Sequence, residues 1–454
     1  MTVVDARARR FPPGPPRSQA MRMLRVMNRD RLGMMTDAAA QYGDAVRIPV
    51  GPKWLYFFNH PDHAKHVLAD NAGAYHKGIG LVHARRALGD GLLTSEGDLW
   101  RKQRKVIQPA FQNRRIVQQA GVIATEAAAL VDRLRANAAG GPVDVVREMT
   151  GLTLGVLGAA LMDTNLRAFA NVDASFAAVQ EQAMFELATL GSVPMFLPLP
   201  HQLRFRKAKR ELQGIVSQLV AERGANVEGR DDVLSRLILS VAQESDPRVA
   251  KQRLNDELVT LLLAGHETTA STLSWSLYLI DAHPEVRARL HEEAVAVLGD
   301  RLPVADDLHR LRYTHMVIEE VMRLYPPVWI LPRAAQSADE IGGYHVPSGA
   351  DVLICPFTMH RHPDFWPDPL RFDPSRFDPA AVNDRPRYAY LPFGAGPRFC
   401  VGNHLGMMEA VLVLATLMRD LELRLLPGRE VVPEPMMSLR LRGGLPMTVH
   451  DAKS

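Results

Sequence analysis

The sequence predicts a mainly α-helical protein with a minor β portion. Apolar residues recur at helical spacing along most of the chain, and only a few apolar runs have the length and composition of strands. The strand-like runs are AVRIPV at 45–50, WLYFF at 54–58 and DVLICPF at 351–357. The predicted helices span 99–108, 113–136, 205–223, 252–282, 285–297, 313–324 and 403–421.

Prolines mark the ends of several of these helices. Pro284 follows the long helix at 252–282, and Pro326 and Pro327 end the helix that begins near Tyr313. The chain contains no internal repeat, and no Ser/Gly/Pro-rich linker divides it. We therefore expect one domain over residues 1–454, preceded by a stiff proline- and arginine-rich segment at 1–20.

Composition excludes several classes of function. The net charge is only +4 over 454 residues, and no Lys/Arg block with interleaved aromatics predicts nucleic-acid binding. Cys355 and Cys400 are the only cysteines, which excludes a disulfide framework and favours a reducing compartment. The N-terminal residues lack an apolar signal sequence, and no apolar run reaches the roughly 18 residues of a membrane span. We expect a cytoplasmic protein without a membrane anchor.

The segment FGAGPRFCVGNHLG places Cys400 in a glycine-rich loop directly before a helix. Backbone N–H groups and the positive end of the helix dipole favour a thiolate, which is a better nucleophile or metal ligand than a thiol. Gly394, Gly396 and Gly402 permit a tight turn around the sulfur. A lone cysteine is more often a small buried apolar residue, so the spacing of its neighbours must decide between the two interpretations.

Phe393, Gly396, Arg398, Cys400 and Gly402 form the pattern F-x-x-G-x-R-x-C-x-G, which resembles the haem-binding loop of the cytochrome P450 family. The resemblance implies a cytochrome P450 fold, a triangular single domain that contains haem b, with the Cys400 thiolate as axial iron ligand. It further implies that Arg398 pairs with a haem propionate and that Phe393 packs beside the sulfur. Gly406 stands where alanine is commoner in the family, which affects only local packing.

Two further motifs agree with this resemblance. Glu320 and Arg323 in EEVMRLYPP are similar to the family's E-x-x-R helix, and Arg376 in FDPSRF is similar to its partner arginine, although an i,i+3 pair alone would be an ordinary surface ion pair. Trp100 and Arg104 lie four residues apart on one helix face, which could also be a solvated amphipathic helix.

The resemblance assigns three residues to the haem propionates besides Arg398. Trp100 and Arg104 correspond to the family's W-x-x-x-R pair, and Arg333 after the double proline resembles another propionate contact. An anion inside a protein requires cationic or N–H partners, which these side chains supply.

The cluster AGHETT at 264–269 has three interpretations. A zinc peptidase site begins with H-E-x-x-H, but Ala270 stands in place of the second histidine, so that site is excluded. A polar stripe facing solvent is disfavoured by the leucines on both sides. The cluster instead resembles the oxygen-activating helix of the family: Ala264 and Gly265 leave room for dioxygen, and Glu267 and Thr268 help to deliver protons. His266 is expected to matter least.

A mid-helix threonine hydroxyl can also compete for the carbonyl of the preceding turn, loosening the helix so that water enters at Gly265. The sequence therefore predicts a possible proton path at this point of the helix.

The resemblance implies a monooxygenase that uses O₂ and oxidises a hydrophobic small molecule: a fatty acid, terpenoid, steroid or polyketide. The predicted pocket segments are apolar or small, at 78–94, 184–203, 328–331 and 436–439. No G-x-G-x-x-G unit opens a βαβ segment, so electrons should come from a separate ferredoxin or flavodoxin with its NAD(P)H reductase. The alternative is a haem-thiolate ligand-binding or sensor protein without turnover, and a peroxide-driven enzyme also stays open.

The basic cluster Arg101, Lys102, Lys105, Arg114 and Arg115 is a candidate docking face for the electron carrier. A solvated helix face explains the same cluster equally well.

Overall fold

The computed structural model describes residues 10–138, 140–169, 172–189, 191–224, 227, 229–230, 232–380 and 385–452. Most of these residues are helical and a small part forms strands, as the sequence predicts. The helices are α1 (Ala20–Arg29), α2 (Arg31–Tyr42), α3 (Pro61–Lys65), α4 (Leu81–Leu88), α5 (Gly97–Ile107), α6 (Asn113–Ile116), α7 (Ala120–Ala138), α8 (Val145–Met162), α9 (Val172–Ala188), α10 (Pro200–Arg223), α11 (Val233–Val241), α12 (Pro247–Asp281), α13 (Pro284–Leu298), α14 (Arg312–Leu324), α15 (Pro356–Met359) and α16 (Asn403–Asp420).

The strands form one larger sheet and three small ones. They are β1 (Ala45–Val50), β2 (Lys53–Phe58), β3 (Tyr75–Lys77), β4 (Val143–Asp144), β5 (Leu331–Ala335), β6 (Asp339–Ile341), β7 (Tyr344–Val346), β8 (Asp351–Ile354), β9 (Leu421–Leu425), β10 (Pro433–Pro435), β11 (Leu439–Leu441) and β12 (Pro446–Asp451). The larger sheet has the order β1-β2-β8-β5-β3. Its antiparallel β3–β5 pair places Lys77 directly opposite Arg333, so two basic side chains meet at this edge.

Helix α12 runs through the core and carries the AGHETT cluster. It has 35 residues and begins at Pro247, with the Asp246 side chain accepting a hydrogen bond from the Arg248 N–H. Hydroxyl side chains in the buried half donate to carbonyls one turn back: Ser274 to Ala270 at 2.7 Å and Ser276 to Thr272 at 2.8 Å. A polar helix segment therefore lies in the core without unpaired hydroxyl groups at these positions.

Helix α8 packs against α12 at Gly265. A Cβ atom added to Gly265 would lie 2.5 Å from Cδ1 of Leu157, so a larger residue would force the two helices apart. By length and composition α8 could cross a membrane, with a mean hydropathy of 1.4, but 61% of the helix is buried inside the fold. Burial against α7 and α12 is typical of a core helix.

A buried ion pair on α14 holds this helix against the segment that follows α15. Arg323 binds Glu320 through two hydrogen bonds, from Nε at 2.6 Å and from Nη2 at 2.7 Å, and both side chains are 0% exposed. Glu320 also accepts the Asp373 N–H at 2.8 Å and lies 3.5 Å from Arg376. The pair and its partner arginine therefore form a buried network and not the ordinary surface ion pair that an i,i+3 spacing alone would indicate.

Arg323 also binds chain segments that are distant in sequence. Its guanidinium donates to the carbonyls of His360 (2.9 Å), Pro369 (2.7 Å) and Arg371 (3.0 Å). The His360 ring in turn accepts the Leu391 N–H at 2.8 Å, two residues before Phe393. Burial and the neighbouring arginines lower the pKa of His360 to about 3, which keeps this ring nitrogen free to accept. The network thus extends to the start of the Cys400 loop.

The predicted elements are present, with shifted boundaries. The helix expected at 113–136 is divided into α6, a 3-10 turn at Val117–Gln119 and α7. The strand expected at 351–357 ends at Ile354, because Cys355 is the N-cap of α15 and Pro356 is the first residue of that helix. Of the predicted N-terminal segment, residues 1–9 lie outside the described residues and α1 begins at Ala20.

Replacing Arg323 with Met should lower the free energy of unfolding by about 3–5 kcal/mol, because it leaves the Glu320 carboxylate buried and unpaired. Urea unfolding followed by circular dichroism measures this loss. As a control, Arg248→Ala removes a side chain that is 93% exposed and paired with Asp246, and should change stability by less than about 1 kcal/mol. Equal small changes in both variants would contradict the structural role of Arg323.

Candidate functional site

An internal cavity of about 370 Å³ lies between α12, β5, the segment preceding α5 and the loop that carries Cys400. Eight of the ten residues singled out from the sequence for catalysis or cofactor binding line it: Trp100, Arg104, Ala264, Glu267, Thr268, Arg333, Arg398 and Cys400. Gly265 and Phe393 are not among the lining residues. Residues separated by about 300 positions in sequence thus meet in one place.

The Cys400 loop depends on its glycines. Gly394 and Gly396 have φ values of +70° and +68°, a region that favours glycine, and a Cβ at Gly396 would collide with the Leu68 carbonyl. The Cys400 N–H donates to the Phe393 carbonyl at 3.1 Å, which closes the turn. Phe393 therefore contributes its main chain to the loop, while its ring packs edge-on against Phe399 with the centroids 6.3 Å apart.

Cys400 is the cysteine that faces the cavity. Its sulfur is accessible from the cavity but surrounded by protein, and this desolvation raises the pKa of the Cys400 thiol despite the Gly402 N–H and nearby Arg104. Without a bound metal, desolvation therefore favours the Cys400 thiol, although its place before a helix predicted a thiolate. A bound metal cation would reverse that balance, because coordination deprotonates a thiol. Cys355 is buried and donates to the Trp329 carbonyl at 3.1 Å.

Three of the predicted cofactor contacts form one cluster beside Cys400. The Arg398 guanidinium stacks over the Trp100 ring, 4.4 Å from its centroid, and forms an ion pair with Glu96. Arg104 donates to the Phe399 carbonyl at 2.7 Å. Arg398 and Arg104 are therefore oriented towards the cavity by contacts within the chain.

Arg333 and Lys77 add two buried basic side chains to this end of the cavity. Arg333 is 8% exposed, and its desolvation lowers its pKa to about 10. Lys77 donates to the Leu92 carbonyl at 3.0 Å, and burial, followed by repulsion from Arg398 and Arg333, lowers its pKa to about 6. No sequence pattern indicates a role for Lys77 in the segment YHKG, and the pairing of β3 with β5 is what places it beside Arg333.

This donor set fits the haem that the resemblance implies. Four basic side chains, Lys77, Arg104, Arg333 and Arg398, line the cavity. Glu96 neutralises part of this positive charge through its ion pair with Arg398, and burial raises the pKa of Glu257 to about 7. Buried arginines favour an anionic partner, which two propionates would supply, and the nearby cysteine supplies a sulfur for iron.

The acid and the alcohol of α12 are both held by hydrogen bonds. Thr268 Oγ1 donates to the Ala264 carbonyl at 2.8 Å, as expected for a mid-helix threonine, while α12 continues unbroken through this turn. Glu267 Oε2 accepts from Gln180 Nε2 at 2.5 Å and Oε1 accepts from Ser438 Oγ at 2.7 Å. No sequence pattern singled out Gln180 or Ser438, because they lie on α9 and on the turn before β11.

The turn before β11 is itself bound to α12. The Leu439 carbonyl accepts from Ser271 Oγ at 2.6 Å and from Trp275 Nε1 at 3.1 Å, both of them buried residues of α12. Met436, Met437 and Ser438 of the same turn line the cavity. One wall of the cavity is thus attached directly to the helix that carries Glu267.

The remaining residues of the AGHETT cluster face other helices. Gly265 contacts α8, as described above. His266 is buried with its ring 4.9 Å from the Phe176 ring, and its carbonyl accepts from Thr153 Oγ1 at 2.8 Å. Thr269 is also buried. The helix therefore directs Ala264, Glu267 and Thr268 to the cavity and its other residues to packing.

Apolar side chains make up the rest of the cavity. All four predicted segments contribute, including Ile79, Leu92, Met184, Val328 and Met436. Helices α1 and α2 contribute a wall that the sequence did not predict. Six methionines line the cavity in total: Met27, Met34, Met35, Met184, Met436 and Met437.

Comparison with known proteins agrees with the geometry. Residues 12–447 match the family described as Cytochrome P450. The chain is 38% identical over 402 residues to cyclooctatin synthase of Streptomyces melanosporofaciens, covering 88% of this chain and 87% of that protein. It is 35% identical to cyclooctat-9-en-7-ol 5-monooxygenase of the same organism (85% and 84% covered) and 32% identical to pentalenene oxygenase of Streptomyces avermitilis (90% of each).

The match extends over nearly the whole chain and includes the cysteine loop, the E-x-x-R helix and the oxygen-activating helix. The family binds haem through an iron–thiolate bond, and its fold is mainly helical with a small β portion. The chain belongs to the cytochrome P450 family and is a cytochrome P450 monooxygenase.

Proposed function

We propose that this monooxygenase oxidises an apolar terpenoid with electrons from a separate carrier, as one catalytic domain in the cytoplasm. The observation that carries the proposal is the one cavity in which Cys400, four basic side chains, Thr268 and an apolar wall meet. A sensor would need only the haem contacts, whereas Glu267 and Thr268 add groups suited to proton delivery.

The Cys400 thiolate would bind the haem iron, and Arg104, Arg333, Arg398 and Trp100 would hold the propionates. When bound, the haem supplies the reductive activation of O₂ and the insertion of one oxygen atom into a C–H bond. The buried cations bind and orient its carboxylates. When a propionate is bound, the Arg398 guanidinium would either leave Glu96 to pair with it or bind both carboxylates. The Trp100 ring limits where this guanidinium can move.

Thr268 and Glu267 are proposed to deliver protons. Thr268 lines the cavity, and its hydroxyl donates a hydrogen bond to the Ala264 carbonyl one helical turn back. The lone pairs of Thr268 Oγ1 remain able to accept a further hydrogen bond. Ala264 leaves free space beside this hydroxyl. Glu267, the preceding residue of α12, also lines the cavity, and Gln180 and Ser438 position its carboxylate, so both groups are available to pass protons inwards.

The substrate is proposed to be a terpenoid. Two relatives are named for pentalenene and for cyclooctat-9-en-7-ol. The cavity wall supports the same class, because six methionines can adapt to a bulky apolar molecule through flexible, polarisable side chains.

The electron carrier is proposed to be a ferredoxin or flavodoxin that docks on α5. Trp100 and Arg104 of this helix line the cavity, whereas Arg101, Lys102 and Lys105 are exposed on its other side. A carrier bound there would lie roughly 10 Å, one helix diameter, from the cavity. Charge reversal of Lys102 and Lys105 should slow electron transfer at low salt, and an unchanged rate would exclude this face.

The reduced holoenzyme should give the thiolate-type Soret band with carbon monoxide, and Cys400→Ala should abolish it. Cys355→Ala serves as the control, because its sulfur is buried away from the cavity and its loss should leave the band in place. A wild-type protein without the thiolate band would refute the assignment of Cys400.

Thr268→Ala should lower the product formed per NADPH roughly tenfold or more and raise the peroxide released, because proton delivery fails. Consumption of NADPH, product and peroxide are measured together. Thr268→Ser should retain coupling. Thr272→Ala is the matched control: its hydroxyl donates to the Thr268 carbonyl at 3.1 Å, one turn further along the helix. Coupling that is unchanged in Thr268→Ala would remove this residue from proton delivery.

Titration of the holoenzyme with pentalenene should shift the Soret band towards high spin more strongly than palmitic acid does. Ala264→Phe should suppress the shift, because the added ring fills space that Ala264 leaves open in the cavity. A shift with palmitic acid and none with polycyclic hydrocarbons would contradict the proposed substrate class.

A further inference from the structure

Helix α2 places an arginine in the apolar wall of the cavity. Arg31 is the first residue of α2, is partly buried and lines the cavity. Met34 and Met35 of the same helix and Met27 of α1 line it as well, and all three methionines are buried. A charged side chain among apolar groups is unfavourable unless it has polar partners, so the contacts of Arg31 decide what it does.

One N–H group of Arg31 is bound within the chain. Its Nη1 donates to the Pro435 carbonyl at 3.1 Å. Pro435 lies on β10 opposite Leu439 of β11, and the Leu439 carbonyl is itself held by α12. The guanidinium is therefore attached to a hairpin that is fixed in place, and its position is defined before any ligand binds.

A second N–H group of Arg31 lacks an acceptor. Its Nε is buried and has no hydrogen-bond partner among the described residues. Glu434 acts on Arg31 through its charge, but its carboxylate binds Arg440 at 2.9 Å and lies 3.9 Å from Arg442. A buried donor without an acceptor is unfavourable, so Nε is ready to bind an acceptor that a ligand supplies.

Arg31 is separate from the four basic side chains assigned to the propionates. Burial lowers the pKa of Arg31, and Glu434 opposes that shift. The pKa of Lys77 is instead lowered by burial and then by repulsion from Arg398 and Arg333. Arg31 is thus a fifth basic side chain of the cavity, which interacts with the β10 hairpin and not with the cofactor end.

We propose that Arg31 binds an oxygen substituent of the substrate, which accepts a hydrogen bond from Nε. The inference rests on the proposed function, because it adds a polar anchor to a terpenoid that is otherwise held by apolar contacts. A hydrocarbon would leave Nε unpaired in the complex, whereas a hydroxyl, carbonyl or carboxylate oxygen would form a charge-assisted hydrogen bond with it. An anchor at one point of a rigid skeleton also restricts which C–H bond faces the haem.

A purely structural role explains less of the geometry. Attachment of α2 to β10 uses Nη1 alone, and the buried Nε would then remain unpaired in every state of the protein. Binding of an oxygen atom of the substrate uses the second N–H group as well.

The anchored oxygen must be part of the terpenoid before this enzyme acts. The reaction that supplies the substrate is therefore of a class that introduces oxygen, either hydroxylation of a hydrocarbon skeleton or addition of water when the skeleton is closed. The oxygen atom inserted here is a further one.

Three ligands with one carbon skeleton test the anchor. Dehydroabietane, dehydroabietinol and dehydroabietic acid share a tricyclic diterpene skeleton and carry no oxygen, a hydroxyl and a carboxylate. Equilibrium dialysis and the Soret shift of the holoenzyme measure each dissociation constant. Arg31→Met should weaken binding of at least one oxygenated ligand about tenfold or more and change that of the hydrocarbon by less than about twofold. The ligand that loses more affinity identifies the substituent as neutral or anionic.

Arg29→Met is the matched control. Arg29 is an exposed arginine at the end of α1 and is not among the described residues that line the cavity, so all three affinities should stay unchanged. An equal loss for all three ligands in Arg31→Met would assign Arg31 to packing and overturn the proposal, as would no loss for any of them. If none of the three binds the wild type, the terpenoid assignment fails together with the anchor, whereas normal binding of the hydrocarbon keeps the two outcomes apart.

Discussion

Burial of positive charge at one end of an apolar cavity is the constraint on which the rest of the structure depends. Lys77 and Arg333 face each other across β3 and β5, and Arg398 and Arg104 approach from the cysteine loop and α5. Desolvation disfavours every one of these charges, as the lowered pKa values of Lys77 and Arg333 show. An anionic cofactor would offset this desolvation cost, and the sheet edge, the loop and α5 bring the basic side chains together at one end of the cavity.

Helix α12 packs in the core with one face and presents polar side chains to the cavity with another. One face must pack in the core, where Gly265 leaves room for Leu157 and the His266 ring packs against Phe176. The other must hold polar groups beside the cavity, where Glu267 and Thr268 are fixed by hydrogen bonds. The glycine and the histidine, which attract attention in the sequence, serve packing. The glutamate and the threonine serve the site, and the helix continues through both.

The fold class and the position of eight of the ten candidate residues at the cavity could be predicted because local patterns encode them: helical periodicity, prolines at helix ends, and motifs of fixed spacing around Cys400, Trp100 and Glu267. The contacts that Lys77, Gln180 and Ser438 make at the cavity could not be predicted from local patterns. Each reaches the site through tertiary contacts, a strand register or a facing helix, and carries no pattern of its own. Gly265 and Phe393 belong to correct motifs, but a motif does not specify which side of an element faces the cavity.

The three hydrogen bonds between α12 and residues 438–439 restrict which sequence changes can alter the ligand range of this protein. Ser271 and Trp275 hold the Leu439 carbonyl, and Glu267 holds Ser438. An insertion or deletion in this turn would break these bonds and displace the acid beside the cavity. Replacement of Met436 or Met437 alters the shape of the wall and leaves the main chain in place. Divergence within this lineage should therefore proceed by exchange of side chains here, with the length of the turn preserved.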